Sequence, residues 1–159
     1  MNIKKFDEHR IDESASTKFK LGLDVHGVID SLPEVFSFLT KSIISSKGEV
    51  HIITGGRIDD DMINMLKRFD IHYTHLFSIL DYHLSIGTPT DGNHPKYGFP
   101  MISDEIWDKT KGDYCKKHNI SLHIDDTLIY NENFTTPFAR LWTHTNTPKP
   151  IHKDPRHLD

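Results

Sequence analysis

The sequence has little cysteine, no long hydrophobic run and no excess of positive charge. Cys115 is the single cysteine among 159 residues, so no internal disulfide can form, which agrees with a reducing cytoplasm. The longest apolar stretches, such as EVHIIT, are far too short to cross a bilayer, and the first residues lack the apolar segment of a signal peptide. The net charge of −4 argues against a general nucleic-acid surface. We therefore expect a cytoplasmic protein without a membrane partner.

Histidine, in contrast, is abundant, with 12 residues. The histidines do not form a zinc-finger pattern or an HExxH motif. His72 and His75 lie three residues apart in DIHYTHLF, but this spacing alone is weak support for a metal site. It favours a role at the surface or at the edge of a strand.

The order of apolar segments predicts an α/β fold. Hydrophobic residues make up 36% of the chain and charged residues 26%, which is typical of one globular domain. Because strand-like runs alternate with segments of helical period, we predict a doubly wound, mainly parallel sheet of five or slightly more strands, with helices on both faces. The predicted strands are KFKLGLDV (18–25), EVHIITGG (49–56), YTHLFSIL (73–80), ISLHIDD (120–126) and FARLWTH (138–144).

Three segments with helical spacing of apolar residues separate these strands. They are residues 31–48, with Ser31 as the N-cap, residues 59–70, with three acids at the start, and residues 103–119, with Ser103 as the N-cap.

Outside these elements the chain is polar. Residues 81–102 are rich in Gly, Pro, Asn and His and predict a long loop, which either forms a small lid with its aromatic residues or packs on the surface. We expect the domain to span residues 18–146, between an amino-terminal arm (1–17) and a carboxy-terminal tail (147–159).

Acidic residues follow two of the predicted strands. Asp24 follows the first strand, and Asp125 and Asp126 end the fourth. In parallel sheets ligands bind at the carboxyl ends of the strands, so these side chains should meet at one edge. One such acid would be explained by a turn or a helix cap. Two adjacent acids after a buried strand repel each other and need a counter-charge, which favours a Mg²⁺ site.

The second predicted strand ends in a residue pattern that suits phosphate. Thr54 supplies a hydroxyl, and Gly55 and Gly56 leave their backbone amides open. The triplet TGG alone is a weak motif, but it gains weight at the same edge as the acids.

The order of these motifs resembles that of the haloacid dehalogenase (HAD) superfamily over residues 19 to about 145. The shared features are a strand followed by DxxGV, a strand followed by Thr, a lysine at a helix start, and a strand followed by DD. The resemblance implies that Asp24 is a nucleophile that forms an aspartyl-phosphate, that Thr54 holds the phosphoryl oxygens, and that Lys111 neutralises both. Lys109 is the alternative to Lys111, and Arg57 is either a second anion contact or a solvated side chain.

The resemblance also implies a magnesium cofactor. Its ligands would be Asp24, Asp126 and the backbone carbonyl of His26, with Asp125 in support. It further implies a member with little or no cap domain, because the segments between the motifs are short. An open site of this kind suits a bulky phosphoester, such as a nucleotide or a nucleic-acid end.

His26 departs from the pattern of the superfamily's phosphatases, in which an aspartate two residues after the nucleophile acts as general acid and base. Residues i and i+2 of an extended segment point to the same side, so His26 can face the site with Asp24. A histidine with its ordinary pKa of about 6.5 can protonate a leaving oxygen and then activate water. Its positive charge, however, is unfavourable beside magnesium.

Three readings therefore stay open. The first is a Mg²⁺-dependent phosphomonoester hydrolase. The second is an inactive HAD-like module that binds a phosphate or a nucleotide. The third is another doubly wound domain, such as a receiver, in which the acid pair usually comes early and the phosphoryl-accepting aspartate late. Here the lone Asp24 comes first and the pair last, which favours the HAD order.

Overall fold

The computed structural model describes residues 18–143, which form a five-stranded parallel sheet and helices. The predicted arm (1–17) and tail (147–159) lie outside the described residues. The strands are β1 (Lys20–Leu23), β2 (Glu49–Thr54), β3 (His75–Ser78), β4 (Leu122–Asp125) and β5 (Phe138–Arg140). The helices are α1 (Pro33–Ser45), α2 (Asp60–Arg68), α3 (Ile79–Ser85) and α4 (Asp104–His118), with an irregular helical turn (Val25–Ile29) and a 3₁₀ helix (Leu128–Asn133).

The strand order is β3-β2-β1-β4-β5, and every neighbouring pair is parallel. The predicted α/β fold with a parallel five-stranded sheet is confirmed. The chain runs outward from β1 to β3 and then returns to the other side of β1 with β4. The strand order therefore reverses between β1 and β4, and ligands of such sheets bind in the crevice at this point.

The core lies against both sides of β2. Val50 and Ile52 of β2 pack with β1 residues and with Phe36 of α1 and Leu66 of α2. The next residue, Ile53, instead packs with Cys115 of α4 and Ile120. Alternate residues of a strand point to opposite faces. Burial of each large apolar side chain contributes roughly 1.5–3 kcal/mol.

The predicted third strand was too long, and the predicted loop 81–102 began too early. Ser78 ends β3 and is also the N-cap of α3. Its side chain accepts a hydrogen bond from the Asp81 backbone N–H (2.9 Å). Ile79, Leu80 and His83 are buried. Their spacing fits one face of a helix, although the apolar pair also resembles the end of a strand. The irregular loop runs from residue 86 to residue 103.

The predicted serine caps also need correction. Helix α1 follows Leu32, whose apolar side chain cannot accept a cap hydrogen bond, and it begins with Pro33, whose fixed φ suits the first turn. Ser103 is at the cap position of α4, but its side chain makes no cap hydrogen bond. Helix α2 has Asp60 and Asp61 in its first turn, so its acids lie at the helix start as predicted. Asp59 precedes them and caps the helix, since its side chain accepts the Met62 N–H (2.9 Å).

The 3₁₀ helix was not predicted. It packs against α4, where Gly112 leaves the space it needs. A Cβ atom at Gly112 would overlap the carbonyl oxygen of Asn133. Among residues 18–143, no helix has both the length and the apolar composition needed to cross a membrane.

Candidate active site

Asp24 lies at the point where the strand order reverses. Its backbone N–H donates to the Ile124 carbonyl (3.0 Å), which continues the pairing of β1 with β4 by one residue. This bond holds the Asp24 backbone next to the end of β4. The Asp24 side chain is buried, and Asp125 ends the neighbouring strand.

Lys111 of α4 connects these two acids. Its Nζ lies 3.0 Å from Oδ1 of Asp24 and 2.6 Å from Oδ2 of Asp125, and the residue is 2% exposed. Lys109, the alternative, instead pairs with Glu105 at the exposed surface (2.7 Å). Lys111 is therefore the lysine that the fold places at the acids.

Aromatic side chains hold Lys111 in position. Its Nζ lies 4.5 Å from the centre of the Tyr130 ring, a distance typical of a cation–π contact. The Tyr130 hydroxyl accepts a hydrogen bond from Nε1 of Trp107 (3.2 Å). The Trp107 ring also lies under Gly55, where an added Cβ would be 3.0 Å from Cζ2. One buried group thus connects the lysine to the loop after β2.

The two adjacent acids have different surroundings. Both oxygens of Asp125 are engaged: Oδ1 accepts the Thr127 N–H (2.9 Å), and Oδ2 contacts Lys111 and lies 3.3 Å from Nε2 of His123. Asp126 is half-buried, and its Oδ1 accepts a hydrogen bond from the Thr127 hydroxyl (3.1 Å). Asp125 is therefore fixed in the interior, and Asp126 is more accessible to a ligand.

The carboxylates of Asp24, Asp125 and Asp126 fit a hard divalent cation. Each offers an oxygen, and the three oxygens lie within 4.8 Å of one another. An all-oxygen set is the one that Mg²⁺ prefers. Gly27 lies close to this group, with a φ of +79°, and a Cβ there would overlap the Asp126 carboxylate. The turn after β1 can thus approach Asp126 because residue 27 has no side chain.

Burial and charge separate the pKa values of these acids. Burial raises the pKa of Asp24 to about 7, Lys111 opposes this shift, and Asp125 and Asp126 reinforce it. Burial has the same effect on Asp125, but Lys111 and His123 outweigh it and hold its pKa below the usual range. Burial would lower the pKa of Lys111, but Asp125 and Asp24 raise it further, so the ammonium stays charged.

Thr54 ends β2 at the same edge of the sheet. The residue is buried, and its Oγ1 accepts the N–H of Gly56 (3.3 Å). Gly55 and Gly56 follow as the start of the loop. Among the described residues, no contact joins Arg57 to Asp24, Asp125 or Asp126. Its Nε instead pairs with Oδ1 of Asp81 (3.1 Å) at the surface.

His26 lies beside Asp24 in the chain but at the surface. Its Nδ1 is 3.3 Å from Oδ2 of Asp30, and Oδ1 of Asp30 accepts the Gly27 N–H (2.7 Å). The hydrogen bond to Asp30 raises the pKa of His26, burial opposes the shift, and Asp24 adds to it. Asp30 thus orients the ring and favours its charged form.

The sequence reasoning missed Asp30, His123 and Tyr130. His123 precedes Asp125 by two residues in a strand, so the period of two could have placed both on one face. Asp30 follows His26 by four residues, the spacing of a helical turn, whereas we predicted an extended segment at His26. Tyr130 gave no signal, because the 3₁₀ helix that carries it was not predicted.

No protein-family model matches the chain, and the searches of curated proteins and of solved structures find no match either. The function is therefore inferred from the geometry of the site and from the order of its motifs.

Proposed function

We propose that the protein is a Mg²⁺-dependent phosphomonoester hydrolase in which Asp24 is the nucleophile. The observation that supports this most is buried Lys111 between Asp24 and Asp125, with Asp126 alongside. A structural ion pair needs one acid for one lysine. Here the ammonium contacts two carboxylates, and an oxygen of the third, Asp126, lies within 4.8 Å of theirs. The fully ionised cluster of three acids and one lysine is therefore a dianion, which a divalent cation neutralises.

In this proposal Asp24 attacks the phosphorus atom. A carboxylate oxygen of Asp24 forms the new P–O bond as the bond to the leaving oxygen breaks, which gives an aspartyl-phosphate. Water then attacks the phosphorus, the bond between phosphorus and the Asp24 oxygen breaks, and inorganic phosphate leaves, which restores the carboxylate. Lys111 lies 3.0 Å from the attacking group and stabilises negative charge at the reacting phosphoryl. The Thr54 hydroxyl and the Gly55 amide would bind the phosphoryl oxygens. The Gly56 amide would join them only on release of its bond to Thr54 Oγ1 (3.3 Å).

His26 is assigned to proton transfer. Its Nε2 would protonate the leaving oxygen in the first step and accept a proton from water in the second. Asp30 contacts the other ring nitrogen, so it fixes the ring and supports the imidazolium. The histidine in place of the usual aspartate therefore comes with its own acidic partner.

Magnesium would be held by Asp24 and Asp126, with the His26 carbonyl, while Asp125 supports the site through Lys111. When bound, the ion neutralises negative charge at the phosphoryl group and favours the ionised form of Asp24. The second effect is needed because burial raises the pKa of Asp24 to about 7.

The proposal extends to the fold, the substrate and the location of the protein. Packing of α1 and α2 on one set of β2 residues, and of α4 on the alternate set, supports a doubly wound, HAD-like domain. We infer a bulky phosphoester substrate, such as a nucleotide or a phosphorylated nucleic-acid end. We also infer a cytoplasmic protein, because its one cysteine, Cys115, is buried and unpaired.

The second candidate is a phosphate- or nucleotide-binding module without turnover. Two features favour it. The His26 side chain is 68% exposed to solvent, and the raised pKa of Asp24 disfavours the ionised carboxylate that a nucleophile needs. Such a module would bind phosphate at the same edge and release no product.

Phosphate release separates the two candidates. We would incubate wild type and Asp24→Asn with nucleoside monophosphates, sugar phosphates, end-phosphorylated oligonucleotides and p-nitrophenyl phosphate, with Mg²⁺ and with a chelator. Hydrolysis that needs both Asp24 and the metal supports the enzyme. Inorganic phosphate that binds to wild type without hydrolysis of any panel member supports the module.

A further inference from the structure

A second group of potential metal ligands lies where β2 and β3 begin. Glu49 and His51 are on β2, and His75 is the first residue of β3. His51 and His75 are paired directly across the sheet, and their rings stack with centroids 4.1 Å apart. His118, the last residue of α4, has its ring centroid 5.7 Å from that of His51 and 6.4 Å from that of His75. The group therefore joins two strands and a helix.

The donor atoms of this group converge. Glu49, His51 and His75 each offer one atom, and the three atoms lie within 4.8 Å of one another. Nδ1 of His51 lies 2.9 Å from the Tyr114 hydroxyl, which leaves Nε2 toward the Glu49 carboxylate at 3.2 Å. Fixing one ring nitrogen by an outer partner so that the other can bind is the usual arrangement of a histidine ligand.

The neighbouring contacts leave a nitrogen available on the second histidine as well. Nδ1 of His75 lies 2.9 Å from the Thr74 hydroxyl, so Nε2 of His75 is the nitrogen left for an ion. His75 is exposed and His51 is fully buried. One ligand is thus held rigidly by the interior, and the other can adjust from the surface.

We propose that Glu49, His51 and His75 form a site for a borderline transition-metal ion, with Zn²⁺ as the expected occupant. His118 lies next to this group but is not one of the three residues whose donor atoms converge. Two imidazoles with one carboxylate suit Zn²⁺, which prefers four ligands of this type, far better than they suit Mg²⁺. The all-oxygen group at Asp24 has the opposite preference. The two ends of the sheet would therefore select different metals.

Binding requires two local changes. An ion in the plane of one ring of a parallel stack lies outside the plane of the other, so the exposed His75 ring must turn. Lys20 contacts Glu49 at 3.2 Å and Lys18 at 3.8 Å, and an ion would share the carboxylate with them or displace them. Both changes are confined to surface side chains. The ion would fix the start of β2 to the start of β3, at the opposite end of the sheet from Asp24.

Calorimetric titration of Zn²⁺ into the protein, with excess Mg²⁺ to fill the carboxylate group, tests the proposal. Wild type should bind one tight equivalent, and His75→Ala should weaken this binding at least tenfold. His72→Ala is the matched control. His72 is exposed like His75 and lies three residues before it, but it pairs with Asp70 and is not part of the proposed site. Histidines elsewhere in the chain contribute equally to all three proteins. Far-ultraviolet circular dichroism checks that the variants are folded.

Two further measurements make the outcome decisive. Asp24→Asn should bind Zn²⁺ as wild type does, and Co²⁺ in place of Zn²⁺ should give the intense visible absorption of a tetrahedral site, which His75→Ala should lose. Equal Zn²⁺ affinity of wild type and His75→Ala, or loss of the tight equivalent in Asp24→Asn, would overturn the proposal. So would the absence of a tight equivalent in wild type. None of these results depends on phosphatase activity.

Discussion

The ammonium of Lys111 lies 3.0 Å from the carboxylate of Asp24, although the two residues are far apart in the chain. Helix α4 carries the lysine, and the end of β1 carries the acid. The fold therefore places a buried positive charge at the residue that we propose as the nucleophile. A second contact, to Asp125, fixes the lysine at the point where the strand order reverses.

Replacing Lys111 should destabilise the protein. Lys111→Met leaves Asp24 and Asp125 buried without their counter-charge, which typically costs about 3–5 kcal/mol. Lys109→Met is the matched control, because it removes a neighbouring lysine of the same helix whose ion pair is exposed. Urea unfolding in the presence of a chelator measures both. A similar unfolding free energy for the two variants would show that Lys111 does not neutralise a buried cluster.

Changes at His26 and Asp30 should lower turnover to different degrees. His26→Ala removes the proposed acid and base, and we expect kcat to fall by about 10² to 10⁴. Asp30→Asn keeps the ring but weakens its partner, so the decrease should be smaller, on the order of tenfold. Steady-state phosphate release at saturating Mg²⁺ gives both values. Wild-type kcat in His26→Ala would exclude the histidine from catalysis.

Gly27 should be needed at the metal site because it has no side chain, and not only because of its positive φ. Gly27→Ala forces a Cβ into the Asp126 carboxylate, and we expect at least about tenfold weaker Mg²⁺ binding when that ligand is displaced. Gly92→Ala is the control, because Gly92 also has a positive φ (+71°) but nothing within 4 Å of an added Cβ. Both variants should lose about 1 kcal/mol of stability from backbone strain. Titration with Mg²⁺ should show weaker binding by Gly27→Ala alone. Equally weaker binding by both variants would contradict the role of the contact.

His83 should make stability depend on pH. Burial lowers the pKa of His83, whose ring lies between the hydroxyls of Thr88 (2.9 Å) and Thr110 (2.7 Å) and beside the Tyr82 ring. Below a pH of about 6.5 the unfolded chain binds a proton at this residue more readily than the folded protein does. The unfolding free energy should therefore fall as the pH falls through this range.

Urea unfolding of wild type and His83→Gln over this pH range measures the effect. The variant keeps a polar side chain but cannot take up the proton, so its stability should depend less steeply on pH. Parallel curves would show that His83 contributes nothing to the dependence.

The sequence predicted the sheet better than the connections. Strands β1, β2 and β4 are apolar runs followed by polar residues, and this pattern follows from burial of a parallel sheet. Helix α3 was missed because Ile79 and Leu80 continue the apolar run of β3, and a short run does not distinguish a strand from a helix. The cap of α1 was misassigned because proline, rather than serine, fixes its first turn.

The predicted site residues that lie directly at the end of a strand are close together in the structure. Asp24, Asp125 and Asp126 meet because the ends of β1 and β4 are adjacent. The partners Tyr130 and Asp30 could not be predicted in this way. Tyr130 lies on the 3₁₀ helix and Asp30 directly follows the irregular turn, and the paths of both segments depend on tertiary packing. The proposed zinc ligands could not be paired from the sequence either. His75 was considered with His72, whereas strand register brings His75 next to His51.

The most direct test of the central claim is binding of beryllofluoride, which mimics a phosphoryl group on an aspartate and needs no knowledge of the substrate. We would record ¹⁹F NMR spectra of wild type and Asp24→Asn with beryllium and fluoride, with Mg²⁺ and with a chelator. The account predicts protein-bound fluorine signals for wild type with Mg²⁺, and their loss with the chelator or in Asp24→Asn. Folded wild type without bound signals, or equal signals in Asp24→Asn, would contradict Asp24 as the phosphoryl acceptor.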